Sequence, residues 1–193
     1  MLKTLFLNPP SYNGFDGGAG SRYQCTREVK SFWYPTWLAQ LAALIEGSKL
    51  IDAPARGTSL EDILPLAKDY ELIVLYTSTP SFPNDVRIAE ALKHENKNLI
   101  IGFCGAHVAV NPDHSILASD AIDFVAGNEF DFTIKEVAEG KIIENIDGLT
   151  YKKNGVVIHN KPRAMIENMD SLPWVTKVYK KLKGPVLKSK VIM

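Results

Sequence analysis

Residues 99–107 read Leu-Ile-Ile-Gly-Phe-Cys-Gly-Ala-His, an apolar run that stops at glycine and leads into a helical pattern. Residues 122–131 repeat the arrangement as Ile-Asp-Phe-Val-Ala-Gly-Asn-Glu-Phe-Asp, and a helical pattern again follows. A parallel strand that is buried on both faces and meets a ligand loop at its carboxyl end has this pattern. The two segments therefore predict neighbouring strands of a parallel sheet whose carboxyl edge binds a ligand.

Predicted strands and helices alternate along the rest of the chain. Apolar runs predict strands at residues 4–7, 49–52, 72–76, 99–104 and 122–125. Apolar residues at three- and four-residue spacing predict helices at residues 36–46, 60–67, 84–94, 114–118 and 131–139. This alternation predicts an α/β fold: a flavodoxin-like (Rossmann-like), doubly wound sheet of five parallel strands.

The pattern changes after Gly140. Residues 148–151 and 156–159 flank Asn154-Gly155, a combination that predicts a β-hairpin. A polar linker with apolar anchors follows, and the chain ends in a lysine-rich segment. We predict a first domain at residues 1–140, a hairpin and linker at residues 141–178, and a disordered tail at residues 179–193.

The composition excludes several classes of protein. Lysine and arginine number 22, as do aspartate and glutamate, so no bulk charge favours nucleic acid as a partner. No apolar run approaches the ~20 residues of a membrane span, and the first strand follows the N-terminus without a signal peptide, which predicts a cytoplasmic protein. The two cysteines, Cys25 and Cys104, are too few for the usual thiolate ligands of a 4Fe-4S cluster, and Cys104 is predicted to pack in the core.

The loops after the predicted strands carry the candidate chemistry. The first, residues 9–33, is long and rich in glycine, but it lacks the tight glycine turn that opens directly into a helix at a dinucleotide site. The loop Thr77-Ser-Thr-Pro-Ser81 offers four hydroxyl groups suited to carboxamide, phosphate or ribose groups. Ser81 is also placed to cap the next helix.

The last two loops contain Gly105, His107, Gly127 and Glu129. Glycine allows a ligand to approach the backbone closely. His107 is either a structural hydrogen-bonding group or a ligand contact, whereas the helix dipole alone accounts for Glu129 at a helix N-terminus. We find no zinc-ligand spacing, P-loop or nucleophile elbow, so no catalytic residue is predicted.

Aromatic residues precede and open the first predicted helix. Trp33, Tyr34 and Trp37 could form a wall for a large planar ligand, although core packing is the more ordinary role for Trp37.

Four segments carry a family resemblance. They are Leu5-Phe-Leu-Asn-Pro-Pro10, Thr77-Ser-Thr-Pro-Ser81, Gly102-Phe-Cys-Gly-Ala-His107 and Asp123-Phe-Val-Ala-Gly-Asn-Glu129. In this order they resemble the N-terminal half of cobalamin-dependent radical SAM enzymes, over roughly residues 1–178. Residues 15–23 and 31–37 are similar to the hopanoid-biosynthesis-associated radical SAM proteins.

The resemblance implies a corrinoid that lies on the carboxyl edge of the sheet. The cofactor-binding residues that it implies are Pro10, Ser11, Thr77, Ser78, Thr79, Gly105, His107, Gly127 and Glu129. Many cobalamin domains ligate cobalt through a histidine after the first strand, but no histidine precedes His94 here. The cobalamin is therefore expected to lack a histidine cobalt ligand, and no metal-ligating residue is predicted.

The catalytic half of the family needs a Cys-x-x-x-Cys-x-x-Cys motif, and this sequence contains none. The resemblance thus implies a fragment that holds cobalamin, while the 4Fe-4S cluster and SAM belong to a radical SAM domain absent from this chain. By itself the chain is not expected to catalyse radical chemistry. Two alternatives stay open: a corrinoid-free interaction domain with the same fold, and a nucleotide-binding Rossmann-like enzyme.

Overall fold

The computed structural model describes residues 1–14 and 35–179. The segments 15–34 and 180–193 lie outside the described residues, and with them the predictions for Cys25, Trp33, Tyr34 and the lysine-rich tail. The strands are β1 (Thr4–Asn8), β2 (Lys49–Asp52), β3 (Leu72–Tyr76), β4 (Ile100–Cys104), β5 (Phe124–Ala126), β6 (Leu149–Lys153) and β7 (Val156–His159). The helices are α1 (Thr36–Leu44), α2 (Ala53–Arg56), α3 (Leu60–Ile63), α4 (Phe82–Glu95), α5 (Ala106–Val110), α6 (Pro112–Leu117), α7 (Phe130–Ala138) and α8 (Thr176–Tyr179).

Five parallel strands form the centre of the fold, as predicted. Within the described residues, the sheet has the strand order β2-β1-β3-β4-β5-β6-β7, and every pairing from β2 to β5 is parallel. The order of the first five strands is that of flavodoxin-like proteins, with a topological switch point between β1 and β3. The predicted fold class is therefore confirmed.

The predicted hairpin is also present, and it extends the same sheet. Asn154 and Gly155 both have positive φ angles, of 53° and 78°, as the tight turn between β6 and β7 requires. β6 pairs antiparallel with β5, so the hairpin covers the edge that five parallel strands would leave open. The sheet is consequently mixed and larger than the five predicted strands.

Two apolar cores lie on the two faces of the sheet. Alternate strand residues point to opposite faces, so Leu5 and Leu7 join the core under α2 to α6, whereas Phe6 joins the core under α1 and α7. The second core also receives Leu149 and Tyr151 from the hairpin. This division of helices between both faces is the doubly wound arrangement.

Two helix predictions need correction. The predicted helix at residues 60–67 begins as expected, with a capping box between Ser59 and Asp62, but it becomes a 3-10 helix at Leu64–Lys68. Pro65 lacks the N–H group that an α-helix would use there. The predicted loop at residues 105–113 contains α5, which is too short to show a helical period in the sequence.

After the hairpin, residues 160–175 form a strap across α7 and α1. Asn160 Nδ2 donates to the carbonyl oxygens of Ile143 at 2.7 Å and Ile146 at 2.9 Å. Arg163 forms an ion pair with Glu136 of α7, and Gln40 of α1 donates to the Pro173 carbonyl oxygen at 2.7 Å. The predicted linker is thus fixed to the domain at several points.

In the described part of the chain, no helix has the length and apolar character that crossing a membrane would require.

The contact between β4 and β5 depends on a glycine. Gly102 is paired with Phe124 on the neighbouring strand, and a Cβ atom at Gly102 would overlap the Phe124 ring. We expect Gly102→Ala to lower the free energy of unfolding by about 2–3 kcal/mol, because a buried ring would have to move. Urea denaturation measures this change.

Phe124→Leu serves as the control for that prediction, because it removes the overlapping ring atoms. The double variant should lose less free energy than the sum of the two single variants. Wild-type stability in Gly102→Ala would contradict the packing that we describe.

Candidate functional site

The loops that follow β1, β3, β4 and β5 meet at the carboxyl edge of the sheet. Because these strands are parallel neighbours, their carboxyl ends lie side by side. The loops after β1 and β3 flank the switch point, and the loops after β4 and β5 lie next to them. Of the nine residues that the family resemblance singled out, eight are in these four loops and His107 is in the first turn of α5, directly after the loop that follows β4.

The loop after β3 is held by hydrogen bonds of its own. The Thr77 N–H donates to the Cys104 carbonyl oxygen at 2.8 Å, and the Thr77 hydroxyl donates to Asp85 Oδ2 at 2.7 Å. Thr77 is fully buried, whereas Ser78 is half-buried and Thr79 is exposed. The Thr77 hydroxyl therefore faces the interior, and the loop offers Ser78 and Thr79 to a ligand.

Ser81 does not cap α4 through its side chain, so that prediction is wrong. Its hydroxyl oxygen instead accepts from the Ser78 N–H at 3.0 Å and lies 2.9 Å from the Ser78 hydroxyl. These bonds close a turn within the loop, which competes with capping for the same hydroxyl group.

Gly105 is required by its neighbours. Its φ angle is +112°, and a Cβ atom there would lie 2.5 Å from the Thr77 carbonyl oxygen. The close contact of two loops therefore explains this glycine without any ligand. At Gly127 the nearest atom to a Cβ would be Ala109 Cα at 3.8 Å, an ordinary van der Waals contact, so the neighbours of Gly127 do not require a glycine there. Cys104, at the end of β4, is fully buried in the core, as predicted.

His107, on α5, is held in one orientation. Its Nδ1 lies 3.2 Å from the Thr79 hydroxyl oxygen, and its ring stacks on Phe82 with the centroids 4.2 Å apart. His114 lies against its edge at 5.8 Å. The structure thus brings together Thr79 and His107, two residues that the resemblance assigns to cofactor binding and that are far apart in sequence.

The other ring nitrogen of His107 has no partner. Among buried side-chain polar atoms of residues 1–14 and 35–179, Nε2 of His107 is the one without a hydrogen bond. Burial, followed by the nearby His114, lowers the pKa of His107, so the ring is neutral at pH 7. A buried polar atom left unpaired costs about 1–3 kcal/mol, and a ligand group could supply the missing partner.

The loop after β5 holds a pair of carboxylates. Burial, together with the negative charge of Glu129, raises the pKa of Asp131 to about 6. Glu129 is half-buried and precedes α7, as predicted. At neutral pH the pair accepts hydrogen bonds, as the amide N–H groups of a ligand would require.

The described start of the loop after β1, residues 9–14, is hydrogen-bonded to α4. The Pro10 carbonyl oxygen accepts from Asn84 Nδ2 at 3.2 Å, and the Tyr12 N–H donates to Asn84 Oδ1 at 2.7 Å. Pro10 is buried and Ser11 is half-buried. The sequence alone did not predict a role for Asn84 or Asp85. Polar residues are common in the first turn of a helix, and the spacing of these two does not indicate that they are buried.

An aromatic row lies on the other side of the edge. The Trp37 ring is 5.8 Å from that of Tyr76, which is 6.2 Å from that of Phe130. Trp37 is 45% exposed, so the expectation that it packs in the core is wrong. It lies in the first turn of α1, beside the end of β3 and not over the middle of the sheet.

Metal-ligating side chains do not cluster in the described residues: no group of three or more histidine, cysteine, aspartate or glutamate side chains is placed to hold an ion.

Strand order, helices on both faces and loops collected at one edge define a doubly wound α/β domain. No known family model matches the chain. It is 30% identical over 182 residues to an uncharacterised methyltransferase of Pyrococcus horikoshii, a match that covers 90% of this chain and 38% of the relative.

Solved structures of TsrM, a radical S-adenosylmethionine methyltransferase from Kitasatospora setae, share the fold. One has cobalamin and a 4Fe-4S cluster bound and matches with a TM-score of 0.63 and 13% identity, over 86% of this chain and 30% of that chain. Another, with tryptophan substrate and a SAM analogue bound, matches with a TM-score of 0.61 and 12% identity, over 83% of this chain and 30% of that chain. The chain therefore spans well under half the length of these proteins.

The site makes a prediction about pH. Burial raises the pKa of Asp85 from 3.8 to about 7, against the opposing hydrogen bonds of Thr77, Asn84 and Ser81. Between these values the folded protein binds a proton that the unfolded chain has lost. We therefore expect the contribution of Asp85 to the free energy of unfolding to fall as the pH rises from about 4 to about 7, by an amount of order 4 kcal/mol.

Asp85→Asn should remove this dependence. The wild type should lose stability relative to the variant as the pH rises, measured by urea denaturation at about pH 4.5, 6 and 8. Asp131→Asn is the matched control. The pKa of Asp131 is also raised, so its ionisation also lowers the free energy of unfolding as the pH rises, but this effect ends near pH 6. Parallel profiles of the wild type and Asp85→Asn would contradict the burial of an ionisable Asp85.

Proposed function

We propose that this chain binds cobalamin at the carboxyl edge of its sheet, as the N-terminal part of a radical SAM enzyme. The observation that carries the proposal is the buried Nε2 of His107, for which residues 1–14 and 35–179 offer no partner, at the edge where folds of this class bind ligands. The similarity to a methyltransferase and to the TsrM fold supports the same function. Cobalamin, when bound, supplies a cobalt centre that can carry a methyl group.

The residues present fit such a cofactor. Nε2 lies beneath the surface, so a ligand reaches it by inserting between the loops and not by resting on them. A corrinoid has a nucleotide tail that can insert, and carboxamide arms that donate and accept hydrogen bonds. We expect Ser78, Thr79 and His107 to bind the tail and Gly127 to leave room for it.

The remaining residues have supporting roles in this proposal. Glu129 would accept hydrogen bonds from carboxamide groups, and the backbone at Pro10 and Ser11 would line the opposite side of the site. Thr77 and Gly105 are occupied by their contact with each other, and the Thr77 hydroxyl by Asp85. They would shape the site without donating to the cofactor.

We further propose that cobalamin binds here without a histidine ligand to cobalt. His107 is held by Thr79 and stacked on Phe82, which suits a hydrogen bond to an inserted tail. His114 is exposed on α6 and packs edge-on against His107.

The enzyme as a whole is a wider proposal. The 4Fe-4S cluster and SAM would be bound by a radical SAM domain outside this chain, and the strap, residues 160–175, would lead towards it. A role in hopanoid biosynthesis rests on residues 15–23 and 31–37, nearly all of them outside the described residues, and stays a prediction from the sequence.

Binding of hydroxocobalamin tests the central proposal. The purified full chain, incubated with hydroxocobalamin and passed through gel filtration, should retain corrinoid absorbance in proportion to protein. Absence of retained corrinoid at micromolar protein would overturn the proposal.

His107→Phe tests the residue that carries the argument. Phenylalanine keeps the stack on Phe82 but removes the unpaired nitrogen, so the cofactor-free protein should be as stable as the wild type or more stable by about 1 kcal/mol. The Kd for hydroxocobalamin should rise about tenfold or more. His114→Phe is the matched control, expected to leave the Kd within about twofold of the wild type, and equal loss in both variants would contradict a specific role for His107.

A second candidate is a corrinoid-free interaction domain. Three large apolar side chains of the strap are exposed: Met165 by 80%, Met169 by 66% and Trp174 by 77%. Several exposed apolar side chains on one short segment favour a contact with another protein. Self-association in sedimentation experiments without corrinoid, combined with no corrinoid binding, would favour this candidate over the first.

A further inference from the structure

Two polar residues at the start of α4 are buried beneath the switch point of the sheet. Asn84 is 4% exposed and Asp85 is fully buried. They lie between the loop after β1 and the loop after β3, and neither faces the solvent. Polar groups in such a position are costly unless every atom has a partner, so their contacts show what the fold uses them for.

Asn84 holds the loop after β1 at two backbone atoms. Its Oδ1 accepts from the Tyr12 N–H at 2.7 Å, and its Nδ2 donates to the Pro10 carbonyl oxygen at 3.2 Å. These two bonds fix the orientation of the amide group, because its oxygen can only accept a hydrogen bond and its nitrogen can only donate one. Ser11 lies between the two backbone groups that Asn84 holds.

The same helix contacts the loop a second time. The Arg87 guanidinium group lies 5.7 Å from the centroid of the Tyr12 ring, one turn beyond Asn84. Tyr12 is thus bound to α4 through both its backbone and its side chain.

Asp85 extends the connection to the loop after β3. Its Oδ1 accepts from Asn84 Nδ2 at 3.1 Å, and its Oδ2 accepts from the Thr77 hydroxyl at 2.7 Å. The hydrogen bonds of Thr77, Asn84 and Ser81 act against the effect of burial on the pKa of this carboxyl group. A continuous chain of hydrogen bonds therefore runs from Tyr12 through Asn84 and Asp85 to Thr77.

We propose that Asn84 and Asp85 are positioning residues, which fix the loops after β1 and β3 relative to each other and so form the corrinoid site without touching the corrinoid. This inference rests on the proposed function for its ligand, but the coupling between the loops is a property of the protein itself. A ligand that inserts between two loops binds best when both are already in place, because ordering them on binding costs affinity.

The test uses hydrogen exchange and cofactor binding on the full chain. Asn84→Ala should speed exchange of the Tyr12 amide by about tenfold or more, since that amide loses its acceptor. It should also raise the Kd for hydroxocobalamin by about tenfold or more. Asn96→Ala is the matched control: Asn96 lies at the other end of α4 and donates to the Ala67 carbonyl oxygen at 2.8 Å, so its loss should weaken the fold and leave the Kd within about twofold.

The connection through Asp85 has its own test. Thr77→Val keeps the shape of the side chain but removes the hydroxyl donor, whereas Thr77→Ser retains that donor. We expect faster exchange of the Tyr12 amide in Thr77→Val and Asp85→Asn, and protection close to the wild type in Thr77→Ser.

The outcomes separate the two proposals. Unchanged Tyr12 exchange in Thr77→Val and Asp85→Asn would overturn the coupling, whatever the protein binds. Faster exchange in Asn84→Ala with an unchanged Kd would overturn the positioning role. Failure of the wild type to bind hydroxocobalamin would overturn the proposed function, while the exchange data would still decide whether the loops are coupled.

Discussion

The contact between Thr77 and Gly105 determines how the carboxyl edge is built. The ends of β3 and β4 approach so closely that the Thr77 N–H bonds to the Cys104 carbonyl oxygen, and no Cβ atom fits at Gly105. This contact sets the course of the loop after β3, and thereby the position of the Thr77 hydroxyl over Asp85. It also sets the start of α5, from which His107 reaches Thr79.

The sequence was sufficient to predict the fold because its strongest signals are periodic. Continuous apolar runs separated by helical patterns predicted β1 to β5, and Asn154-Gly155 predicted the hairpin turn. Two features lacked such a signal. The pairing of β6 with β5 depends on contacts between distant residues, and α5 is too short for its period to be read.

The candidate site was harder to predict than the fold. Glycines and hydroxyl residues after strands pointed to loops that the structure brings to one edge of the sheet, and two residues selected by the resemblance, Thr79 and His107, are in contact there. The sequence did not show that the hydroxyl of Thr77 turns inward, or that Gly105 is needed by its neighbour. Asn84 and Asp85 escaped notice because burial of a polar side chain depends on the three-dimensional packing around it and leaves no local pattern.

Buried polar groups concentrate on the side of the edge that carries α4 and α5. Hydrogen bonds hold the buried carboxyl group of Asp85, and Nε2 of His107 has no partner among the described residues. Apolar residues at either position would make a more ordinary core. Such departures from the rules of a stable interior are expected where a fold is shaped by binding as well as by stability.

The strap connects the two helices that begin at one side of this edge. It is attached to α7 through Arg163 and to α1 through Gln40, and these two helices begin beside the aromatic row of Trp37, Tyr76 and Phe130. The strap therefore holds together the two helices whose first turns carry one wall of the carboxyl edge. The opposite wall is anchored separately, through the hydrogen bonds of Asn84 and Asp85 on α4.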